Sequence, residues 1–152
     1  MIERFEKFSF SIFRVYRYLH KIMGNEMTKY GLKGAYAFYL LVMYRAEEGV
    51  TATQLCDICD RNKADVSRAV SEMESKGFIY RDEVNNNRYR AKLKLTEKGI
   101  EVAKQLEETA GIAVSKAGSG LNGPRLAFFY DALERIAGNL QIISAEGLST
   151  ED

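Results

Sequence analysis

The chain has 152 residues, of which 46% are hydrophobic and 28% charged, enough for a compact core and too apolar for a disordered polymer. Twenty-two basic against twenty-one acidic side chains leave a net charge of +1, so total charge does not mark a nucleic-acid binder. Two cysteines, no apolar run near the ~20 residues needed to cross a bilayer, and an N-terminus mixing charges with aromatics predict a reducing, cytoplasmic setting.

The first predicted element is a helix over about 3–29. Phe5, Phe8, Ile12, Val15, Leu19 and Ile22 recur at steps of 3 and 4, the spacing of a heptad seam. Gly24 weakens its end and Gly31 lies in the break beyond it. A second helix, about 34–47, is apolar almost all round (Ala35, Tyr36, Phe38 to Met43) and is expected in the middle of the fold. Val50 is positioned to add a short strand.

Two short helices joined by a tight turn follow. Thr51 or Thr53 caps the first, which runs to about Cys59. Asn62 caps the second, Asp65 suits its positive end, and the helix stops near Lys76 before Gly77. Leu55, Ile58 and Cys59, then Val66, Ala69, Val70 and Met73, are expected to form the buried faces.

Phe78, Ile79 and Tyr80 start a strand, Asn85 to Asn87 make a turn, and residues 88–95 alternate with period two. Tyr89, Ala91, Leu93 and Leu95 share one side, and Arg88, Arg90, Lys92 and Lys94 the other. Lysines on an edge strand also discourage aggregation, but four cations in a row beside a helix-turn-helix favour phosphate contact. Thr96 caps a long helix to about residue 117, with Ile100, Ala103, Leu106, Ala110 and Val114 on its apolar face. A loop over 118–124 contains the only proline, Pro124. The final helix, about 124–143, carries a second seam in Leu126, Phe129, Leu133, Ile136, Leu140 and Ile143. The seams alone leave intramolecular and intermolecular packing equally open.

The fold class is therefore mainly α with a small β-hairpin wing. Helix-turn-helix plus wing is a shape that lays one helix in the major groove of DNA. Charge follows it: residues 61–98 hold ten Lys/Arg against six Asp/Glu, and residues 99–152 hold four against eight. No glycine-rich phosphate loop, metal cluster or nucleophile with a plausible base is present, and His20 is the only histidine, so an enzyme is not expected. Cys56 and Cys59 form C-x-x-C, for which core packing is favoured over a redox or zinc role.

The run from Leu55 to Gly99 resembles the MarR family of winged helix-turn-helix transcription regulators. Val66, Ser67 and Arg68 match its Val-Ser-Arg; Met73, Glu74, Lys76, Gly77, Phe78 and Ile79 match the block ending the recognition helix. Leu95 to Gly99 (LTEKG) matches the segment after the wing. The chain departs from the pattern at Asp60, where glycine is usual, and at Arg61, where an apolar residue is usual. It departs again at Asn87 and Tyr89, which stand where the wing's Asp-x-Arg would be.

The resemblance implies a homodimer on a roughly palindromic operator, acting as a ligand-responsive repressor, with the domain limits 1–33 (N-terminal dimerisation helix), 34–99 (winged helix-turn-helix), 100–146 (C-terminal dimerisation helices) and 147–152 (tail), one structural domain overall. Asn62, Lys63, Asp65, Ser67, Arg68 and Ser71 are assigned to the DNA-facing side of the recognition helix. Thr53 and Gln54 are assigned to phosphates, and Arg88, Arg90 and Lys92 to the wing contact. For Asp65, capping the helix is the stronger reading. Phe13, Tyr16, Arg17, His20, Tyr36 and Tyr39 are candidates to line a cavity for a small aromatic or anionic effector, although plain core filling is the stronger reading for any one of them. Two alternatives are a winged-helix protein-interaction module that never touches DNA and a redox-sensing regulator acting through Cys56 and Cys59. No cofactor is expected.

Overall fold

The computed structural model describes residues 2–82 and 91–148. In chain order it contains α1 (Ile2–Thr28), a 3-10 turn (Gly34–Tyr36), α2 (Ala37–Arg45), α3 (Ala52–Cys59), α4 (Lys63–Ser75), β1 (Ile79–Asp82), β2 (Lys92–Leu95), α5 (Glu97–Ala117) and α6 (Gly123–Glu146). The architecture is mainly α with one antiparallel hairpin, as the sequence predicts. The strands pair Ile79 with Leu95 and Asp82 with Lys92, and Val50 adds a single bridge to Leu93. The chain divides into two compact units, Met1–Ala113 and Val114–Asp152, with the boundary inside α5.

The core of the first unit is built from the apolar faces of five helices and the hairpin. Met27, Leu40, Leu55, Met73, Phe78, Ile79, Leu93 and Leu106 are all fully buried within it. Burial of each such side chain stabilises the fold by roughly 1.5–3 kcal/mol. Two expectations about this packing change. On α3 the buried seam is Ala52, Leu55, Cys56 and Cys59, which keeps strict i, i+3, i+4, i+7 spacing; Ile58 falls off it and is 60% exposed. On α2 the helix is shorter than predicted, opening as a 3-10 turn and ending at Arg45, and Phe38 is 42% exposed rather than buried.

Gly24 lies inside α1, which runs to Thr28 as predicted to within a residue. Its role is proximity: a methyl group on Gly34 would lie 2.8 Å from the Gly24 Cα, so the return of the chain from α1 to α2 requires bare backbone. Gly99 is more confined still. A methyl there would sit 2.0 Å from the Phe78 carbonyl oxygen.

That closeness explains the LTEKG segment. Thr96 Oγ1 accepts a hydrogen bond from Gly99 N–H, capping α5, and donates to the carbonyls of Gly77 (2.7 Å) and Phe78 (3.1 Å). Lys98 Nζ donates to the Lys76 carbonyl and lies 4.0 Å from the Phe78 ring centroid. Threonine, lysine and glycine together lock the start of α5 onto the end of α4, which fixes the hairpin between them.

Candidate nucleic-acid interface

Each end of the two central helices is set by local chemistry. Thr51 caps α3 in a reciprocal box: its hydroxyl accepts from Gln54 N–H, and Gln54 Oε1 accepts from Thr51 N–H. The helix stops because Asp60 adopts a left-handed conformation, φ 48°, and Arg61 N–H then donates to the Cys56 carbonyl at 3.0 Å. Asn62 caps α4 by accepting from Asp65 N–H at 2.8 Å. Gly77, φ 74°, ends it.

With both ends pinned, α4 has two distinct sides. Val66, Ala69, Val70 and Met73 are buried in the core. Asn62, Lys63, Ser67, Arg68 and Ser71 are exposed, as are Thr53 and Gln54 on α3. Asp65 is half-buried, and its carboxylate takes the Asn62 amide at 2.8 Å and the Arg68 guanidinium on its other oxygen. Exposed pairs of this kind stabilise by only about 0–1 kcal/mol, so Arg68 is easily surrendered to a stronger acceptor.

An open cleft of about 550 Å³ runs between α3, α4 and the hairpin. It gathers Thr53, Lys63, Ser67 and Ser71 and adds Glu74 and Arg81, which sequence reasoning did not single out. Arg81 Nε donates to Glu74 Oε2 at 3.2 Å, tying the hairpin to the recognition helix. The signal for Arg81 was present: it follows buried Ile79 by two residues, so strand alternation turns it to the same side.

The hairpin offers less positive charge than its alternation suggests. Lys94 pairs with Asp82 at 2.8 Å, and that hydrogen bond raises its pKa. Lys92 is half-buried, with Nζ 3.5 Å from the Gly49 carbonyl. Arg88, Arg90 and the Asn85–Asn87 turn lie outside the described residues.

A second network ties α4 to the chain entering α2. Tyr36 Oη donates to Glu72 Oε2 at 2.7 Å, Lys76 Nζ donates to Glu72 Oε1 at 2.9 Å, and the same ammonium donates to the Gly31 carbonyl at 2.6 Å. The Tyr36 hydroxyl, followed by Lys76, holds the Glu72 carboxyl down at about 2. Burial, reinforced by Glu72, pushes the Tyr36 phenol up to about 12.

Of the six effector candidates, Tyr36 and Tyr39 line one concavity of about 260 Å³. Phe13, Tyr16 and Arg17 are exposed along α1, and Arg17 rests on its neighbour Tyr18. His20 is stacked between Tyr16 and Phe38, with Nδ1 buried and unpartnered. Tyr36 and Tyr39 are buried and stacked on each other, with ring centroids 6.1 Å apart. Cys56 is buried and Cys59 half-buried, both as thiols, and burial pushes the Cys59 thiol up, away from the reactive thiolate. Among the described residues no cluster of three or more His, Cys, Asp or Glu could hold a metal, and no helix is long and apolar enough to cross a membrane.

Residues 30–88 match the model of the MarR family. Three solved structures share the fold. A MarR transcriptional regulator from Methanosarcina mazei Go1 superposes with a TM-score of 0.81 at 23% identity, covering 91% of this chain and 99% of that one. A putative MarR family regulator from Listeria monocytogenes, complexed with a 26mer DNA, gives 0.78 at 22% identity, covering 93% and 96%. MepR, a regulator of the Staphylococcus aureus multidrug efflux pump MepA, gives 0.66 at 17% identity, covering 87% and 97%. No curated protein matches the sequence.

Proposed function

From a chain whose winged helix-turn-helix segment is that of the MarR family, we propose a sequence-specific DNA-binding transcription regulator that works as a homodimer in the cytoplasm. The observation that carries this reading is α4 itself. One side is buried to immobility, and the other presents Asn62, Lys63, Ser67, Arg68 and Ser71 to solvent beside a hairpin tied to it through Arg81 and Glu74. Serine, asparagine, lysine and arginine at the N-terminal half of a helix are suited to base edges and phosphates in a major groove. The relative bound to a 26mer supports the same use of the fold.

The dimer is supported by surface that a single chain leaves uncovered. Phe5, Ile12 and Val15 of the α1 seam are exposed, Phe5 at 69%. No residue of α6 is buried, and Leu140 of its seam is 51% exposed. Exposed apolar seams of this extent, on each helix taken by itself, mark an interface. Two copies related by a two-fold axis would present two recognition helices, so the operator is a roughly palindromic pair of half-sites about one helical turn apart. Repression relieved by a small aromatic or anionic effector completes the proposal, with its cavity formed only when the exposed α1 aromatics meet the partner copy.

Selection of bound fragments from random duplexes tests all of this together. The expected result is an inverted repeat whose half-sites lie about 10 base pairs apart. Recovery of no common motif would leave a protein-interaction module as the better reading.

A further inference from the structure

The strongest unassigned feature is a concavity of about 260 Å³ at the head of α4, walled by Tyr36 and Tyr39 and rimmed by Lys33, Arg61, Asp65 and Arg68. Three cations face one carboxylate there. Asp65 is already engaged by Asn62 and Arg68, and Glu72, which lies 3.6 Å from Lys33 Nζ, is held by Lys76 and Tyr36. Among the described residues Arg61 makes no ion pair, so the rim keeps an unneutralised positive charge.

Arg61 is also the departure from the family pattern, standing where an apolar residue is usual. Its backbone is fixed on both sides. The preceding Asp60 is left-handed, Arg61 N–H closes the last turn of α3, and Asn62 begins the cap of α4. The side chain is exposed, so the guanidinium projects from an anchored point of the backbone at the head of α4. Across the concavity Lys33 Nζ lies over the Tyr36 ring, 5.8 Å from its centroid.

We propose that Arg61 and Lys33 form a clamp for the sugar–phosphate backbone, so that a DNA phosphate enters this concavity while α4 occupies the adjoining major groove. The inference rests on the DNA-binding reading above. The site's chemistry is that of an oxyanion acceptor: a planar fork at Arg61, a point charge at Lys33, and two rings that exclude water from one side. A backbone contact of this kind adds affinity without sequence preference, and it adds to the number of counterions released on binding.

The test is the salt dependence of binding of the full chain to a selected duplex and to an unrelated one. Arg61→Leu restores the residue type usual for the family and should fold; a melting curve checks it. The expected result is a fall in affinity of about three- to ten-fold for both duplexes alike, with the slope of log K against log salt reduced by about 1. Adding Lys33→Ala should reduce the slope by about 1 more, while Arg61→Lys keeps most of it. Wild-type binding with slopes unchanged in Arg61→Leu and in the double variant would overturn the clamp but leave the regulator intact. No binding to any duplex by the wild type would overturn both. If Arg61→Leu instead keeps its slope but loses a thermal stabilisation that benzoate gives the wild type, the concavity belongs to a free anion and the clamp is wrong.

Discussion

Helices α4 and α6 are both amphipathic, yet they stand in opposite conditions. In α4 four apolar residues are buried and the polar side is exposed; in α6 none is buried, Leu126 and Leu133 of its seam are half-buried, and Phe129, Ile136, Leu140 and Ile143 are exposed. A helix finished within its own chain leaves its polar face available to a ligand. A helix left with its seam in water is finished by another surface. In the dimeric regulator proposed above, the contrast separates what one copy can do, position α4, from what would require two.

The largest expected effect comes from breaking the unfinished side. Leu140→Asp places a charge on the exposed α6 seam and should shift sedimentation from dimer to monomer. Losing the second recognition helix then lowers operator affinity by about 10²- to 10⁴-fold, because the second half-site is no longer engaged intramolecularly. A variant that stays dimeric, or a monomer that binds as tightly as the parent, would break the contrast.

On the finished side, Gly99→Ala tests how tightly α5 is locked to the end of α4. The added methyl meets the Phe78 carbonyl at 2.0 Å, and the cost is about 2–4 kcal/mol, measurable by urea unfolding. Gly111→Ala, with nothing within 4 Å of the added methyl, is the control and should stabilise by about 0.5–1 kcal/mol, the preference of a helix interior for alanine over glycine.

The Tyr36–Glu72 bond sharpens the comparison through pH. The folded-state Glu72 carboxyl, at about 2, lies below its ordinary 4.5, so its contribution is complete above 4.5 and lost as pH falls toward 2. The Tyr36 phenol, raised from 10.0 to about 12, contributes fully below 10 and is lost as pH rises through 12. The stability gap between wild type and a Tyr36→Phe, Glu72→Gln double variant should therefore be flat from about pH 5 to 9.5 and shrink beyond either limit. A gap that does not change between pH 5 and 2 would show that the bond holds nothing in place.

The smallest effect belongs to the turn. Asp60 occupies a left-handed conformation that glycine adopts without strain, so Asp60→Gly should stabilise by about 0.5–1 kcal/mol in the same urea assay.

How much of this was legible beforehand follows the range of the interactions. Asn62, Gly77 and, in its cap to Gly99, Thr96 act on neighbours three residues away or fewer, and their types alone place the ends of α4 and α5; the bonds from Thr96 to Gly77 and Phe78 span 19 and 18 residues and have no local signature. The polar side of α4 was legible for the same reason, since Val66, Ala69, Val70 and Met73 leave only one face for Ser67 and Arg68. Tyr36 and Glu72 are 36 residues apart, and no local pattern links them. Ile58 was misplaced because the α3 seam starts one turn earlier, at Ala52, whose small side chain hides its burial. The close approach of Gly24 to Gly34 was not legible because Gly34 follows it by ten residues, beyond the end of α1. Lys94 looked available because its partner Asp82 stands diagonally across the hairpin, two residues on from Tyr80, which the register sets opposite Lys94.

The most direct test of the central claim is anisotropy titration of the full chain with its selected duplex and a scrambled one, for wild type and Arg68→Ala. The account predicts that wild type prefers the selected duplex by about 10³-fold or more, and that the variant loses about 1–3 kcal/mol on the selected duplex and little on the scrambled one. Equal affinity of wild type for both duplexes, or a variant indistinguishable from it, would contradict the assignment of α4 as the element that reads sequence.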